Sequence, residues 1–545
     1  MIKNITLKIQ VFFLIYIATI FQLKGLTILG TYWDDTGYIE TIPIIFETIY
    51  IFFTDFNNPY LGFFNYNLEF YGYLFPLIVN LIEKSNLFTS LIEHILVNLY
   101  SYEIINELDL NTIIRFHIFN ILMAGLLYYL YKTNKKFYGS TYSNVFLILL
   151  LLIPSFNGHL YFNIKDIPFA IIFYLTSLVL LNNANLIFQK TFEIKKYIIF
   201  LSILFSTLLL IRINAILFLI FLSFCLLILS KNNKKFYILN MSIVFGLSFI
   251  FTFILTPSAW RYPKIWIIKA IETQFVLSDW NGAVLTNGKV LDAQNLPSTY
   301  LVEWFFYKLP INILIVFFIS VIYFALRNKN LDYLTKFSFL FIIAIFIFFS
   351  VFTPLAYDGI RQYLFLIPFI VHLNSIFIIK TFYFKNNVFF KLAFVFSIIY
   401  MIYSQASIHP FSYVYFNEFS DEDKITETCE KLSGCGEWDT DYWGLSGKSL
   451  ILETKNIVKE DIQFTSCRPE NVFLNYLNKS EVDNTQKEVY VSSIHRPAES
   501  FWLCNRTVPA ETAINPETKC EFLYSKYIFL RNKKINLSYL YKCKI

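Results

Sequence analysis

Apolar runs of spanning or near-spanning length recur at 9–30, 112–131, 143–160, 167–183, 197–212, 213–230, 237–256, 309–326, 337–353, 362–380 and 388–405. A helix needs about 20 apolar residues to cross a bilayer core, so the pattern predicts about eleven transmembrane helices. The pair at 197–230 matters most, because one long tilted helix there would invert everything downstream. As two spans they are short and joined by a tight turn at Arg212-Ile213-Asn214. In the first loop, 31–111, the stretches 41–54 and 86–105 are apolar at near-helical spacing but interrupted by acids. That spacing predicts helices lying in the interface rather than crossing it. Beyond Tyr403 the long apolar runs stop. Ser449–Val458 reads as a helix, Asp461–Ser466 and Val489–Ile494 as strands, and Phe522–Arg531 with Ile535–Tyr541 as a hairpin around Asn532-Lys533-Lys534. The expected architecture is an α-helical polytopic membrane domain over 1–405, with interfacial helices in its first outer loop. A small C-terminal α/β domain follows over 406–545, long enough for its own core.

Charge settles the two-span question. Lys3 and Lys8, then Lys132/Lys135/Lys136, Lys190/Lys195/Lys196, Lys231/Lys234/Lys235, Arg327/Lys329/Lys336 and Lys385/Lys391 mark every second loop. Basic residues in short loops stay cytoplasmic, so two spans at 197–230 make the whole series agree. The N-terminus is then cytoplasmic and the terminal domain extracytoplasmic. The N-terminal segment resembles a signal sequence but lacks a small-residue cleavage site, and reads as an uncleaved anchor. Composition agrees: 56% of the 545 residues are hydrophobic and only 15% charged, well under the roughly 25% of soluble domains. The net charge of +6 is unevenly spread, and no basic run interleaves with aromatics, which excludes a nucleic-acid platform. Of the seven cysteines, Cys225 falls inside a span, while Cys429, Cys435, Cys467, Cys504, Cys520 and Cys543 all fall in the terminal segment. An even set placed outside fits disulfides in an oxidising compartment; zinc is the rival, without a Cys-x-x-Cys to support it.

The polar clusters sort to the same face as the terminal domain. Tyr32-Trp33-Asp34-Asp35-Thr36-Gly37-Tyr38 follows the first apolar run, Asn157–Asp166 forms the second outer loop, and a long outer loop runs from Pro257 to about Lys308. Adjacent carboxylates at a membrane surface are costly to desolvate and are functional candidates. Extracytoplasmic space lacks nucleotide donors, so group transfer there draws on an activated lipid. A polyprenyl-phosphate sugar fits: a carboxylate deprotonates the acceptor hydroxyl, and cations hold the departing phosphate.

Four stretches carry a family resemblance. They are Gly158-His159-Leu160-Tyr161-Phe162-Asn163-Ile164-Lys165-Asp166-Ile167-Pro168-Phe169, Tyr357-Asp358-Gly359-Ile360-Arg361, His409-Pro410-Phe411-Ser412-Tyr413-Val414-Tyr415-Phe416-Asn417 and Asp441-Tyr442-Trp443-Gly444-Leu445-Ser446. With the acidic pair after the first span, the chain resembles the GT-C class of membrane glycosyltransferases, the group that includes protein O-mannosyltransferases and aminoarabinose-to-lipid-A transferases. Within that group it is most similar to a bacterial branch. The resemblance implies a multi-pass protein of a bacterial inner membrane and an inverting transfer from a polyprenyl-phosphate sugar to a lipid, polysaccharide or protein hydroxyl. It puts Asp34 at the catalytic base, Asp35 beside it, Asp166 as the second-loop acid that orients acceptor or base, and Lys165 and Arg361 at the donor phosphate. It implies no cofactor; Asp34 and Asp35 could hold a divalent ion, but no further ligand spacing supports one. Tyr38 and Gln362 stand where that family's pattern has histidines.

Each of these residues also has a plain structural reading. Asp166 could cap the fourth span ahead of Pro168, Lys165 could snorkel at the interface, and Arg212 with Asn214 could merely turn the hairpin. Arg361 could pair locally with Asp358. His159 reads as a loop hydrogen bonder, His409 as linker packing, and Asp441 and Trp443 as braces of the terminal domain. At the level of the whole chain, a polytopic transporter or lipid flippase is the alternative, and a catalytically silent scaffold a third reading.

Overall fold

The computed structural model describes residues 25, 27–32, 35–55, 72–85, 89–94, 97, 107–190, 194–230, 234–272, 282–326, 331–357, 359–383, 388–421, 425, 437–457, 464–466, 471–474, 476, 499–505 and 519–544. The first predicted span, 9–30, and Asp34 lie almost or wholly outside them.

Helices α1 (Asp35–Thr54) and α2 (Leu74–Glu83) come first. The first covers the predicted interfacial stretch at 41–54. The second was not predicted, and of 86–105 only 89–94 and 97 are described, as helix. Helix α3 (Glu107–Leu152) holds two predicted spans in two arms, broken at Gly139, whose φ of 85° and ψ of 173° leave the helical region. The second arm ends at Leu152 rather than 160, because Pro154 opens a separate short helix, α4 (Pro154–His159). Then follow α5 (Asp166–Asn182), α6 (Lys195–Ile211), α7 (Ala215–Leu229) and α8 (Lys234–Ile254). The two-span reading of 197–230 therefore holds, with residues 212–214 as the joint.

The stretch 257–308, expected as a long loop, is folded. It contains α9 (Pro263–Glu272), a hairpin of β1 (Ala283–Thr286) and β2 (Lys289–Asp292), and α10 (Tyr300–Lys308). The hairpin turn is Asn287-Gly288, with φ of 50° and 72°. Asn-Gly is the pairing that a two-residue turn with both φ positive favours. Next come α11 (Ile311–Leu326) and α12 (Tyr333–Phe352), the latter capped by Asp332, which accepts from the Thr335 N–H at 2.9 Å. A 3-10 turn at Arg361–Leu366 runs into α13 (Ile367–Ile378), and α14 (Val388–Ile408) closes the series.

Among the described residues five segments are long and apolar enough to cross a membrane: Asp109–Leu152, Lys234–Ile254, Tyr333–Phe352, Arg361–Thr381 and Val388–Ile408. Helices such as α5, α7 and α11 are apolar but shorter. Together with the composition these define a polytopic membrane protein. Helix α5 is its axis. Every residue from Asp166 to Leu181 is buried, against α3, α6, α12 and the 3-10 turn at Arg361. Around it Phe169, Phe173, Phe218, Phe341, Phe365 and Phe369 interlock at centroid distances of 4.8 to 6.4 Å. The bundle's two ends differ chemically. At the end where α5 begins, Asp166 meets two arginines. At the other, Tyr138 donates to Asp332 at 2.9 Å, and the Tyr142 and Tyr174 hydroxyls meet His372 Nδ1 at 2.6 and 3.1 Å.

The terminal segment contains α15 (Gly447–Ile457), close to its predicted bounds, and a sheet in the order β3-β4-β6-β5. Its strands are β3 (Phe464–Ser466), β4 (Glu499–Asn505), β5 (Lys519–Leu530) and β6 (Lys533–Lys544). The predicted hairpin is present, but it turns at Arg531-Asn532, with φ of 49° and 70°, one residue earlier than expected. Strand β4 was not anticipated, and the predicted strand at 489–494 lies outside the described residues. Cys225 is a buried free thiol. Cys520 and Cys543 are register partners across the terminal hairpin, while Cys429, Cys435 and Cys467 lie outside the described residues. A separate apolar cluster forms around Leu450, Ile451, Val472, Phe473, Leu503 and Leu540. Several contacts tie this unit to the bundle, and Lys448 and Arg531 make two of them. Lys448 Nζ sits 2.5 Å from Asp109 with both side chains fully buried, and Arg531 donates to the Phe416 and Asn417 carbonyls at 2.7 and 3.0 Å. Residues 437–446 do not belong to the separate cluster: Trp438, Tyr442, Trp443 and Leu445 pack into the main core.

Candidate active site

The loop between α4 and α5 sets Asp166 in place. Asn163 Oδ1 accepts the backbone N–H of Asp166 at 2.9 Å, so Asn163 serves the start of α5 and the Asp166 side chain is left for other work. This corrects the capping reading of Asp166: the capping position is Lys165, which makes no side-chain cap. The Asp166 carboxylate takes Asn163 Nδ2 at 3.0 Å, Arg361 Nε at 3.3 Å and Arg212 Nη2. With two guanidiniums on its oxygens the carboxylate stays ionised and is a poor proton acceptor.

Arg212 arrives from the end of α6, and Arg361 from the start of the 3-10 turn before α13. The hairpin-turn reading of Arg212 is therefore corrected, since the side chain reaches back to α5. Asp358, the suggested local partner of Arg361, lies outside the described residues. The Arg361 guanidinium carbon lies 3.7 Å from the centroid of the Trp443 ring, within cation–π range. Trp443 is held there by its own turn. Asp441 accepts the N–H groups of Gly444, Leu445 and Ser446 at 3.0, 3.2 and 2.9 Å, and the hydroxyl of Tyr413. Burial nonetheless pushes the Asp441 carboxyl above the usual carboxylate range. Trp443 thus does not brace the terminal sheet; it lies on the arginine of the membrane domain.

A polar chain joins the same turn to Asp166. Tyr442 OH meets His159 Nε2 at 3.0 Å, and His159 Nδ1 meets Asn163 Nδ2 at 3.2 Å. Because Asn163 Nδ2 can only donate, the network assigns the His159 proton to Nε2. Burial pulls His159 down to about 3, with Arg361 and Lys308 adding to the effect and Asp166 opposing it, so the ring is neutral at pH 7. His159 lies outside the spanning arm, which ends at Leu152, and its expected role as a hydrogen bonder fits these contacts. Behind it, Gly158 lets α4 approach the chain at Tyr413; a Cβ there would stand 2.1 Å from the Tyr413 nitrogen. Lys308 secures that chain from the other side, donating to the Tyr413 and Val414 carbonyls at 3.4 and 3.2 Å. Its ammonium lies 3.7 Å from the Phe416 ring centroid, and burial pulls it well below the usual lysine range. His409 packs its ring edge-on to Tyr161 at 5.9 Å.

Of the residues singled out in the sequence, Asp166 and Arg361 touch, and Lys165 adjoins Asp166 in the chain with its side chain buried. Asp34 lies outside the described residues, and Asp35 is the first residue of α1. Tyr32, two positions before Asp34, is buried against Trp443, Phe162 and Phe116 at centroid distances of 5.4, 5.6 and 6.2 Å. Arg212, Trp443 and Asn163 were not foreseen in these places. Arg212 did carry a signal, as the only charged residue between Lys196 and Lys231.

No family model and no curated protein matches the chain. Among solved structures it is similar to the crystal structure of ArnT from Cupriavidus metallidurans in the apo state, at a TM-score of 0.46 and 10% identity, over 99% of this chain and 98% of that one. A likeness that loose transfers neither residues nor chemistry.

Proposed function

We propose that the protein is a membrane glycosyltransferase of the GT-C type, moving a sugar from a polyprenyl-phosphate donor to a hydroxyl acceptor on the extracytoplasmic side of a bacterial inner membrane. One juxtaposition carries the reading: Arg212 and Arg361 share the buried carboxylate of Asp166 beside the chain that leads to Asp34 and Asp35. Lys165 adds a third cation beside Asp166, and a cluster of cations of this kind suits the phosphate of a lipid donor. Asp166, ionised and engaged, orients the arginines. The base is then Asp34, with Asp35 beside it. Tyr32 packs on Trp443, which covers Arg361, and two residues of chain reach at most about 7 Å.

In the reaction the acceptor hydroxyl gives its proton to Asp34 as its oxygen bonds to the anomeric carbon. The bond from that carbon to the phosphate oxygen breaks, and the electron pair leaves on the phosphate, held by Arg361, Arg212 and Lys165. A single displacement inverts the anomeric configuration. The acceptor is a lipid, a polysaccharide or a protein. The extracytoplasmic placement of the terminal cysteines carries the accompanying expectation that they pair as disulfides.

A general base contributes about 10²–10⁴-fold, so Asp34→Asn lowers transfer by that order while the purified protein stays monodisperse. An Asp34→Asn protein with wild-type transfer would remove the assignment of the base. Lipid mass spectrometry of a deletion strain is expected to show an accumulating polyprenyl-linked sugar. Solute flux in proteoliposomes without group transfer would instead place the protein among transporters.

A further inference from the structure

The Asp441–Ser446 turn delivers a buried indole to the arginine end of the bundle, and only its ring face is accounted for. That face lies on Arg361. The Tyr32 and Phe162 rings meet the indole at interplanar angles of 86° and 80°, and the Tyr32 hydroxyl does not accept from the indole N–H. The Trp443 side chain is 2% exposed, and its Nε1 has no hydrogen-bond partner among the described residues. The polar groups of its own turn are committed elsewhere: the Asp441 carboxylate to three backbone N–H groups and Tyr413, and the Tyr442 hydroxyl to His159.

An indole N–H is a donor and nothing else. The cation beside it cannot satisfy it, and buried donors left without an acceptor are rare in native folds. The acceptor therefore arrives from outside, and a site with Arg361, Arg212 and Lys165 collects anions. We propose that Trp443 is a ligand-binding residue whose indole N–H donates to a phosphate oxygen of the lipid donor, the same phosphate that Arg361 holds. This rests on the donor reading given above and extends it to the terminal segment, which then supplies part of the donor site. It also accounts for tryptophan at this position. Phenylalanine would offer the guanidinium a ring face but would bring no donor.

The test uses full-length protein in detergent with decaprenyl monophosphate as the probe, titrated against wild type, Trp443→Phe and Arg361→Lys. A hydrogen bond to a charged oxygen is worth about ten- to a hundredfold in affinity, so Trp443→Phe weakens binding by that factor with elution and melting temperature unchanged. A Trp443→Phe protein that binds as wild type, while Arg361→Lys binds weakly, overturns the role of Trp443 and leaves the donor reading intact. Wild-type protein that does not bind the probe overturns the donor reading itself. Ultraviolet resonance Raman of the wild type provides a readout that needs no variant. Adding the probe is expected to shift the N–H-sensitive indole band of one of the eight tryptophans. An unshifted band at saturating probe overturns the proposal.

Discussion

Asp166 shows how completely a single buried side chain can be committed. Its carboxylate is 3% exposed and balances two guanidiniums that come from separate helices. Removing the charge while keeping the shape leaves those cations facing each other without their shared partner. Breaking a buried pair in this way costs about 3–5 kcal/mol. Asp166→Asn is therefore expected to lower the thermal unfolding temperature in detergent and, under the proposed function, to weaken binding of the lipid phosphate. Asp166 and Arg361 were legible in the sequence, because ionisable residues beside apolar runs stand out. Arg212 was visible as a lone charge, but its partner lies 46 residues away, and packing rather than local pattern decides that pairing. Trp443 was quoted in a motif yet misread as a brace. In a chain that is 20% aromatic nothing separates a ring on an arginine from one in a core.

Among the elements, α4 and the 3-10 turn at Ser412–Val414 form a tight joint near the site. Gly158→Ala would force the Tyr413 backbone away from α4, and with it the Tyr413 hydroxyl that closes on Asp441. Overpacking of this kind costs about 1–3 kcal/mol, and a matching fall in stability by thermal unfolding is the expected result. Gly125, whose added Cβ would meet nothing within 4 Å, is the control position. The spanning helices were legible because apolar length is a coarse signal that survives any local detail. The folded stretch at 257–308 was not: its elements are short and their packing is tertiary, although Asn287-Gly288 did mark the turn. The second arm of α3 was overrun by eight residues because the apolar run continues past Pro154, where the helix restarts.

At the scale of the whole molecule, the terminal unit and the bundle are joined by a fully buried ion pair, Lys448 with Asp109. Burial pulls the Lys448 ammonium below its usual range and the Asp109 carboxylate partly restores it. Lys448→Met strands the Asp109 charge and is expected to destabilise the protein by about 3–5 kcal/mol, measured by thermal unfolding. The double variant Lys448→Met with Asp109→Leu is expected to recover much of that loss, since an apolar pair needs no solvation.

The order in which the chain is made gives the insertion of Trp443 a further meaning. Arg361 is synthesised some eighty positions before the ring that covers it, and Asp166 earlier still. A ribosome that halts anywhere in between leaves a membrane bundle whose cations have no roof. The contact between Arg361 and Trp443 therefore forms only after both segments have left the ribosome, so it closes late in folding rather than seeding the bundle.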